Sequence, residues 1–149
     1  MTPYDMIKQH LDAAVPFARH VGVELLEIGD GTASAALEQR EEVSNHIQSM
    51  HAGAMFTLAE AASGAALAGA FGPAILQLRP VAKTADIAFR KMALGRLTAQ
   101  AHATETGDRL MATIEEAGKV AFDVKVDVRD AAGDTVVEMT VNWYVSKQR

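Results

Sequence analysis

One acidic side chain interrupts a long apolar stretch of this sequence. Between residues 52 and 78, Glu60 is the single ionisable residue among alanines, glycines and other apolar or small polar residues. Burying an unpaired carboxylate costs several kcal/mol, so such a residue is usually paired, protonated or placed for chemistry. A carboxylate placed for chemistry can act as a general base or as a nucleophile. Glu60 is therefore the first candidate catalytic residue.

Hydrogen-bonding groups that could assist Glu60 precede it in the sequence. Asn45 can orient a water molecule or donate to a carbonyl, and it can equally cap a turn. A helix that begins near His51 would present the N–H groups of Ala52 and Gly53, with their partial positive charge, to a developing oxyanion. His51 could itself bind a carbonyl, or it could hydrogen-bond the backbone at the helix start.

A metal site could draw on the same stretch. His46, His51 and Glu60 are residue types that bind metals, but their spacings of five and nine residues do not place them on one helical face. The sequence contains no cysteine, which excludes disulfides, thiolate zinc sites and a cysteine nucleophile. We therefore expect neither a metal nor a cofactor.

A long helix must carry these residues. The apolar pattern predicts a helix from Ser49 or His51 to Ala70, and the Gly-Pro pair at 72–73 cannot continue it. Its many small residues fit where a sheet packs closely against a helix. A glycine inside a helix costs about 1 kcal/mol relative to alanine, so Gly64 and Gly69 are expected to reflect limits on packing.

Runs of alternating polarity flank this helix in the sequence. Alternation of this kind predicts antiparallel strands with one face in water and the other on an apolar layer. The predicted strands are 23–28, 33–38, 84–90, 97–104, 120–129 and 137–145. A further helix is predicted over 2–14 and ends at Pro16, whereas segment 105–119 could be a long hairpin with Gly107-Asp108 as its turn, or a loop. We therefore predict an α+β domain in which about six antiparallel strands wrap around one long helix.

Charge and composition exclude several classes of protein. A formal net charge of −5 argues against a general nucleic-acid binder, which normally presents a basic surface. Glu60, Pro73 and several glycines interrupt the apolar stretch, which argues against a membrane span. Residues 1–20 contain charged side chains and no continuous apolar core, so no secretory signal is expected. We expect a cytoplasmic protein.

The segment from Asn45 to Glu60, NHIQSMHAGAMFTLAE, resembles hotdog-fold acyl-CoA thioesterases of the phenylacetate-degradation type. The pattern of that family is Asn, then His-Gly-Gly, then Phe-x-Leu-Ala and an acidic residue. This chain has Ala52 in place of the first glycine, and Glu60 where this branch more often has aspartate and a sister branch has glutamate. The strand pattern resembles the family from about Val21 to Val145.

The resemblance implies a hotdog fold in a single domain of residues 1–149. An N-terminal helix and linker would occupy 1–20, and the hotdog core would occupy 21–146. The resemblance also implies homodimers joined edge to edge into a continuous sheet, often paired again into homotetramers, with active sites at the dimer interface. Glu60 of one protomer would then face Asn45 and the helix N-terminus of the other.

Hydrolysis of acyl-CoA thioesters is the activity that the resemblance implies. Glu60 would activate water or attack the carbonyl, and Asn45 would position the water or the carbonyl. The N–H of Ala52 or Gly53 would bind the oxyanion. Expected substrate contacts are Met55, Phe56, Ser63, Arg90 and Lys91, of which the last two would meet the phosphates of coenzyme A.

Two other functions fit the same fold. A non-catalytic acyl-CoA-binding or assembly module would use Glu60 as a structural carboxylate. An enoyl-CoA hydratase or dehydratase would need a histidine paired with an acid, for which His51 is the nearest candidate. For a thioesterase, the alanine-rich helix favours a small aromatic or a medium-chain acyl group.

Overall fold

A computed structural model describes residues 2–148 of the chain. Within that range the helices are α1 (Pro3–Ala14), α2 (Pro16–Val21), α3 (Ala52–Phe71) and α4 (Gly107–Ala117), with short 3-10 helices at Glu41–Val43 and Gly72–Gln77. The strands are β1 (Glu24–Gly29), β2 (Thr32–Leu37), β3 (Leu78–Phe89), β4 (Leu97–Ala103), β5 (Lys119–Arg129) and β6 (Thr135–Lys147).

The six strands form one antiparallel sheet in the order β1-β2-β4-β5-β6-β3. The apolar faces of β5 and β6 are buried, as the alternation in the sequence predicts; Val124, Val128 and Val141 are fully enclosed. This face packs on α3, whose residues Leu58 and Ala62 are also fully buried. The predicted α+β fold, a six-stranded sheet around a long central helix, is confirmed.

Helix α3 is apolar on all sides because protein surrounds it. By length and composition, the helical stretch 52–77 would suffice for a membrane span, but 78% of its most apolar window is buried inside the protein. A helix that is hydrophobic all round is buried either in a membrane or in a large core. In this fold the core, supplied by the curved sheet, accounts for its composition.

Gly64 and Gly69, the two glycines in the interior of α3, occur there for different reasons. At Gly69 a Cβ atom would overlap the carbonyl oxygen of Gly29 and would lie 2.9 Å from Cγ2 of Ile28, so the predicted packing limit is confirmed there. At Gly64 the nearest atoms belong to the indole of Trp143, at an ordinary contact distance of 3.5 Å. The packing explanation was therefore wrong for Gly64, which leaves space that a side chain could occupy.

Segment 105–119 is neither a hairpin nor a loop, and both predictions for it were wrong. It contains α4, which begins with a hydrogen bond from the Arg109 N–H to the Thr106 hydroxyl (3.3 Å). Leu110 and Ile114, one turn apart, are buried against the core. Gly107 is needed because a Cβ there would overlap the carbonyl oxygen of Ala70, and not because the chain turns at this residue.

The N-terminal residues form two helices where one was predicted. Thr2 and Asp5 cap α1 reciprocally, as its predicted start requires. Pro16, predicted to end the helical region, ends α1 but is also the first residue of α2, a position that suits proline. The predicted linker is therefore largely helical, and α1 and α2 both pack against α3.

Strand β3 is longer than the sequence predicted and lies at an edge of the sheet. It begins at Leu78, whereas alternation was recognised only from Thr84. A bulge between Ala82 and Thr84 shifts the register with β6 and breaks the alternation. Pro80 is tolerated because an edge strand has one row of backbone groups outside the sheet.

Candidate functional site

The loop before α3 is organised by the side chain of Asn45. Its Oδ1 atom accepts hydrogen bonds from the N–H groups of Ile47 (3.0 Å) and Ser49 (3.0 Å), and its Nδ2 atom donates to the Ser49 hydroxyl (2.7 Å). Asn45 thus caps a turn, one of the two roles that its residue type predicted. Among residues 2–148, its second amide hydrogen has no acceptor.

The same loop is held from outside. The carbonyl oxygen of Gln48 accepts from Nε2 of Gln39 (2.9 Å), which supports Gln48 in a left-handed conformation at φ 62°. The Met50 N–H donates to the Ala93 carbonyl at 2.8 Å. Non-glycine residues with positive φ persist only where their surroundings hold them, and they cluster at functional sites.

The first turn of α3 leaves one N–H group free. The Gly53 N–H donates to Nδ1 of His51 (2.8 Å), and the N–H groups of Ala54 and Met55 both reach the His51 carbonyl (3.0 Å). His51 therefore has the backbone-bonded role at the helix start that was one of its two predicted roles. Within the described residues, the Ala52 N–H has no such acceptor and is the donor that remains for a ligand.

We expect His51→Ala to lower the free energy of unfolding by about 1 kcal/mol, because the side-chain cap of α3 is lost. Denaturant unfolding followed by circular dichroism measures this change. His46→Ala is the matched control, since His46 is exposed and its ring makes no hydrogen bond in the described part of the chain. Equal stability of the two variants would contradict the capping role.

Glu60 lies on α3 with its carboxylate half-buried. Over residues 2–148 this carboxylate accepts no hydrogen bond and belongs to no ion pair. Burial raises the pKa of the Glu60 carboxyl above its ordinary value, because the charged form loses hydration. The hydroxyls on either side bind helix backbone, Thr57 to the Gly53 carbonyl (2.9 Å) and Ser63 to the Glu60 carbonyl (2.7 Å).

A cavity of about 480 Å³ opens beside Glu60, between α3 and the helix pair α1 and α2. Its lining is mainly apolar, and its other charged residues, Asp12, Arg19 and Glu24, are exposed. The apolar and small lining residues are Leu11, Val15, Ala18, Val23, Leu25, Ala61, Gly64, Ala65, Leu67, Ala68, Ile75, Pro80 and Trp143. A volume of this size is typical of a small-molecule site.

The predicted acyl contacts lie outside this cavity. Met55 is buried in the core, and Phe56 is exposed near the start of α3. Ser63 is fully buried, and its hydroxyl accepts a hydrogen bond from Nε1 of Trp143 (3.1 Å) while donating to the helix backbone. The hydroxyl of Ser63 therefore joins α3 to β6 and fixes the indole that forms one wall of the cavity.

The predicted phosphate contacts are on the surface and paired. Arg90 makes an ion pair with Glu138 (2.8 Å), and Lys91 makes ion pairs with Asp134 (2.7 Å) and Asp130 (3.3 Å). These pairs hold the end of β3 against the hairpin between β5 and β6. Exposed ion pairs contribute at most about 1 kcal/mol, so a stronger anion could displace them.

Glu60 and the start of α3 lie far apart within one chain. Glu60 and Ala52 are eight residues apart, which corresponds to about 12 Å along the helix axis at ~1.5 Å per residue. The residues predicted to act on one carbonyl are therefore separated within the described chain. In residues 2–148, no three histidine, aspartate or glutamate side chains form a group that could hold a metal ion.

Sequence reasoning missed the residues that form the cavity. Small residues at 61, 64, 65 and 68 share a helical face with Glu60, and this spacing was the available signal. This spacing did not predict a cavity, because small residues in a helix are equally typical of close packing under a sheet. The contribution of α1 and α2 had no signal, since it depends on where these helices pack.

Comparison with known proteins identifies the family of the chain and supports its fold. A family model described as DUF4442, domain of unknown function, matches residues 4–145. No curated protein sequence matches the chain.

Solved structures with folds similar to that of this chain include the following three. The Pseudomonas aeruginosa protein PA5026, named a probable thioesterase, is 24% identical with a TM-score of 0.84, over 99% of this chain and 97% of that one. The Escherichia coli PaaI protein of the phenylacetic acid degradation operon is 20% identical with a TM-score of 0.71, over 95% and 94%. A hypothetical thioesterase from Streptococcus pneumoniae, solved with coenzyme A, is 20% identical with a TM-score of 0.68, over 91% and 99%. At these identities the likeness establishes the fold, and it confirms the hotdog resemblance at that level.

Proposed function

Because the chain belongs to the DUF4442 family and has the hotdog fold found in PaaI, we propose that it hydrolyses acyl-CoA thioesters with Glu60 as the catalytic carboxylate. The observation that carries this proposal is the half-buried Glu60 carboxylate, which has no partner in residues 2–148 and lines an apolar cavity. Leaving such a group unpaired destabilises the fold, so a structural role does not explain it.

A site shared between two protomers reconciles this chemistry with the separation along α3. Strand β3 forms a long edge of the sheet with an outer row of backbone groups, and its residues Val81 and Phe89 are 45% and 47% exposed. Long apolar edge strands favour pairing with another chain. Pairing with β3 of a second copy would continue the sheet and give a homodimer, which could pair again into a tetramer.

In the dimer, Glu60 of one protomer would face Asn45 and the helix N-terminus of its partner. Glu60 takes a proton from water as the water oxygen attacks the thioester carbon. The Ala52 N–H of the partner stabilises the oxyanion, since the Gly53 N–H is already bound by His51. The carbon–sulfur bond then breaks, and the thiolate of coenzyme A leaves and is protonated. Direct attack by Glu60, through an anhydride, would use the same groups.

The similar structure from Streptococcus pneumoniae contains coenzyme A, which supports an acyl-CoA thioester as the proposed substrate. The phosphates of coenzyme A would exchange with the carboxylates that now pair with Arg90 and Lys91. A hydratase is less well supported, because the His51 ring is engaged with the Gly53 N–H and, within residues 2–148, is not paired with an acid.

The direct test is release of free coenzyme A from a panel of saturated, aromatic and unsaturated acyl-CoAs. A thiol reagent detects the product without background, since the chain has no cysteine. Thioester cleavage supports the proposal. Hydration of the enoyl-CoA without thiol release, or ligand-induced stabilisation without any turnover, would overturn it in favour of the hydratase or the binding module.

Mixed dimers test whether the site is shared. Asn45→Asp keeps the acceptors for the N–H groups of Ile47 and Ser49 and removes the free amide hydrogen. We expect Asn45→Asp and Glu60→Gln each to be inactive alone. Co-assembled at random, they should recover about a quarter of the parental activity, because half of the dimers are mixed and one of their two sites carries neither change. No recovery in verified mixed dimers would place both residues in one protomer's site.

The pH dependence of hydrolysis follows from the environment of Glu60. Since the base must be ionised and burial raises its pKa, we expect kcat/KM to rise with pH through a midpoint above the ordinary glutamate value. Initial rates between pH 4 and pH 9 measure this limb, with protein stability checked at each pH. A profile that stays flat down to the ordinary glutamate pKa would contradict the assignment.

A further inference from the structure

The cavity beside Glu60 follows one face of α3. Glu60, Gly64 and Ala68 line it at intervals of one helical turn, so it extends for about 12 Å at ~1.5 Å per residue. Ala68 is almost completely buried at the inner end, whereas Glu60 is half-buried at the outer end. The cavity is therefore longer than a short acyl group requires.

Its walls are mainly hydrocarbon, and the charged lining residues Asp12, Arg19 and Glu24 are exposed. Leu11 and Val15 close it on the side of the N-terminal helices, Leu25 of β1 contributes a buried wall, and the indole of Trp143 lies beside Gly64. Glu60 is the one lining carboxylate that is not exposed, within the residues that the structure describes. Such a channel excludes a charged or strongly polar group from its inner end.

We infer that the cavity receives an unbranched acyl chain of medium length, with its thioester carbon at Glu60 and its methyl end near Ala68 beneath α1 and α2. A length of about 12 Å accommodates roughly eight to ten carbons at ~1.3 Å of advance per carbon–carbon bond. This inference rests on the proposed thioesterase function and specifies its substrate class.

Gly64 and Ala68 determine the length that fits. A Cβ at position 64 would meet the Trp143 ring at 3.5 Å, an ordinary contact, so packing does not demand glycine there. The absent side chain instead keeps the channel open one turn from Glu60. A larger residue at 68 would block the channel two turns from Glu60 without approaching the reacting atoms.

The test is a chain-length series of saturated acyl-CoAs from two to twelve carbons, with phenylacetyl-CoA for comparison. Each buried methylene strengthens binding about fourfold, so kcat/KM of the parent should rise by about that factor per carbon until eight to ten carbons. Ala68→Leu should lower the ratio of kcat/KM for decanoyl-CoA over hexanoyl-CoA on the order of 100-fold, since the last four carbons of the longer chain, about 8 to 12 Å from the thioester carbon at ~1.3 Å per bond, lose their site. Ala112→Leu makes the same change on the exposed face of α4 and should leave the ratio unaltered.

The outcomes separate this inference from the function on which it rests. Absence of thiol release from every thioester would overturn the proposed function itself. Hydrolysis with an unaltered decanoyl-to-hexanoyl ratio in folded Ala68→Leu, or with phenylacetyl-CoA preferred over octanoyl-CoA by the parent, would overturn this inference alone. If Ala68→Leu fails to fold, Gly64→Ala serves as the second variant, because it narrows the channel by one methyl group. It should lower the same ratio several-fold, and an unchanged ratio would overturn the inference.

Discussion

Glu60→Gln is expected to lower the rate of thioester hydrolysis by a factor of 100 to 10,000, on the order of what a general base contributes, and at the same time to stabilise the protein at neutral pH. Glutamine has nearly the same shape but cannot accept the proton from water. It also removes a charge that burial disfavours and that no residue in the described chain offsets. Loss of activity with a gain in stability distinguishes a functional carboxylate from a structural one.

The gain in stability has a defined pH window. The unfolded chain releases the Glu60 proton near its ordinary pKa of about 4.3, whereas the folded chain holds it to a higher pH. Below the ordinary pKa, Glu60 is protonated in both states and does not lower the free energy of unfolding of the parent. As pH rises from the ordinary pKa through the raised pKa, the free energy of unfolding falls. Above the raised pKa, the full cost of the buried charge is present. The advantage of Glu60→Gln should appear over that interval and persist at neutral pH.

Thermal unfolding of both proteins at several pH values, beside hydrolysis rates, measures the two effects. Glu115→Gln is the matched control, because Glu115 lies exposed on α4 and makes no ion pair in residues 2–148. A variant that is inactive and less stable at neutral pH would indicate a structural carboxylate. A variant that retains the parental rate would refute the catalytic assignment.

Gly69→Ala is expected to lower the free energy of unfolding by 3 kcal/mol or more, roughly the upper end for overpacking, because the new methyl group meets rigid backbone. The obstructing atom is the carbonyl oxygen of Gly29 at the end of β1, and the Ile28 side chain lies behind it. Relief would require α3 and β1 to separate, which would open the core over several residues.

Gly64→Ala is the matched control in the same helix. No close contact opposes its methyl group, and alanine is favoured over glycine in a helix by up to about 1 kcal/mol, so this variant should gain stability. Chemical denaturation of the two variants should therefore give changes of opposite sign. A similar change in both would mean that the backbones of α3 and β1 are not in close contact at Gly69.

The sequence sufficed for the fold because its periodicities are strong and local. Alternation in β5 and β6 predicts a sheet with one covered face, and the apolar α3 is the one element long enough to cover it once Glu60 and Pro73 have argued against a membrane span. Irregular elements are harder to predict from the sequence. The bulge in β3 interrupts the alternation, so the first half of the strand was not predicted. Gly107 is typical of a turn, but a glycine is required there because of the close contact with the Ala70 carbonyl.

The candidate site could be predicted in part. Glu60 was evident because a charge in an apolar run conflicts with its surroundings, and that conflict can be read without coordinates. The engagement of the Gly53 N–H, in contrast, depends on the rotamer of His51, and the cavity depends on how α1 and α2 pack. Both are tertiary facts that no local pattern encodes.

Trp143 makes the cavity visible to spectroscopy. It is the single tryptophan of the chain, its ring lines the cavity, and its Nε1 atom is anchored to Ser63. The tryptophan fluorescence of the protein therefore comes from one indole, at the place where an acyl chain would lie. Displacement of solvent from that ring by hydrocarbon would shift its emission to shorter wavelength, so occupancy can be followed in the unlabelled protein, even with an inactive variant.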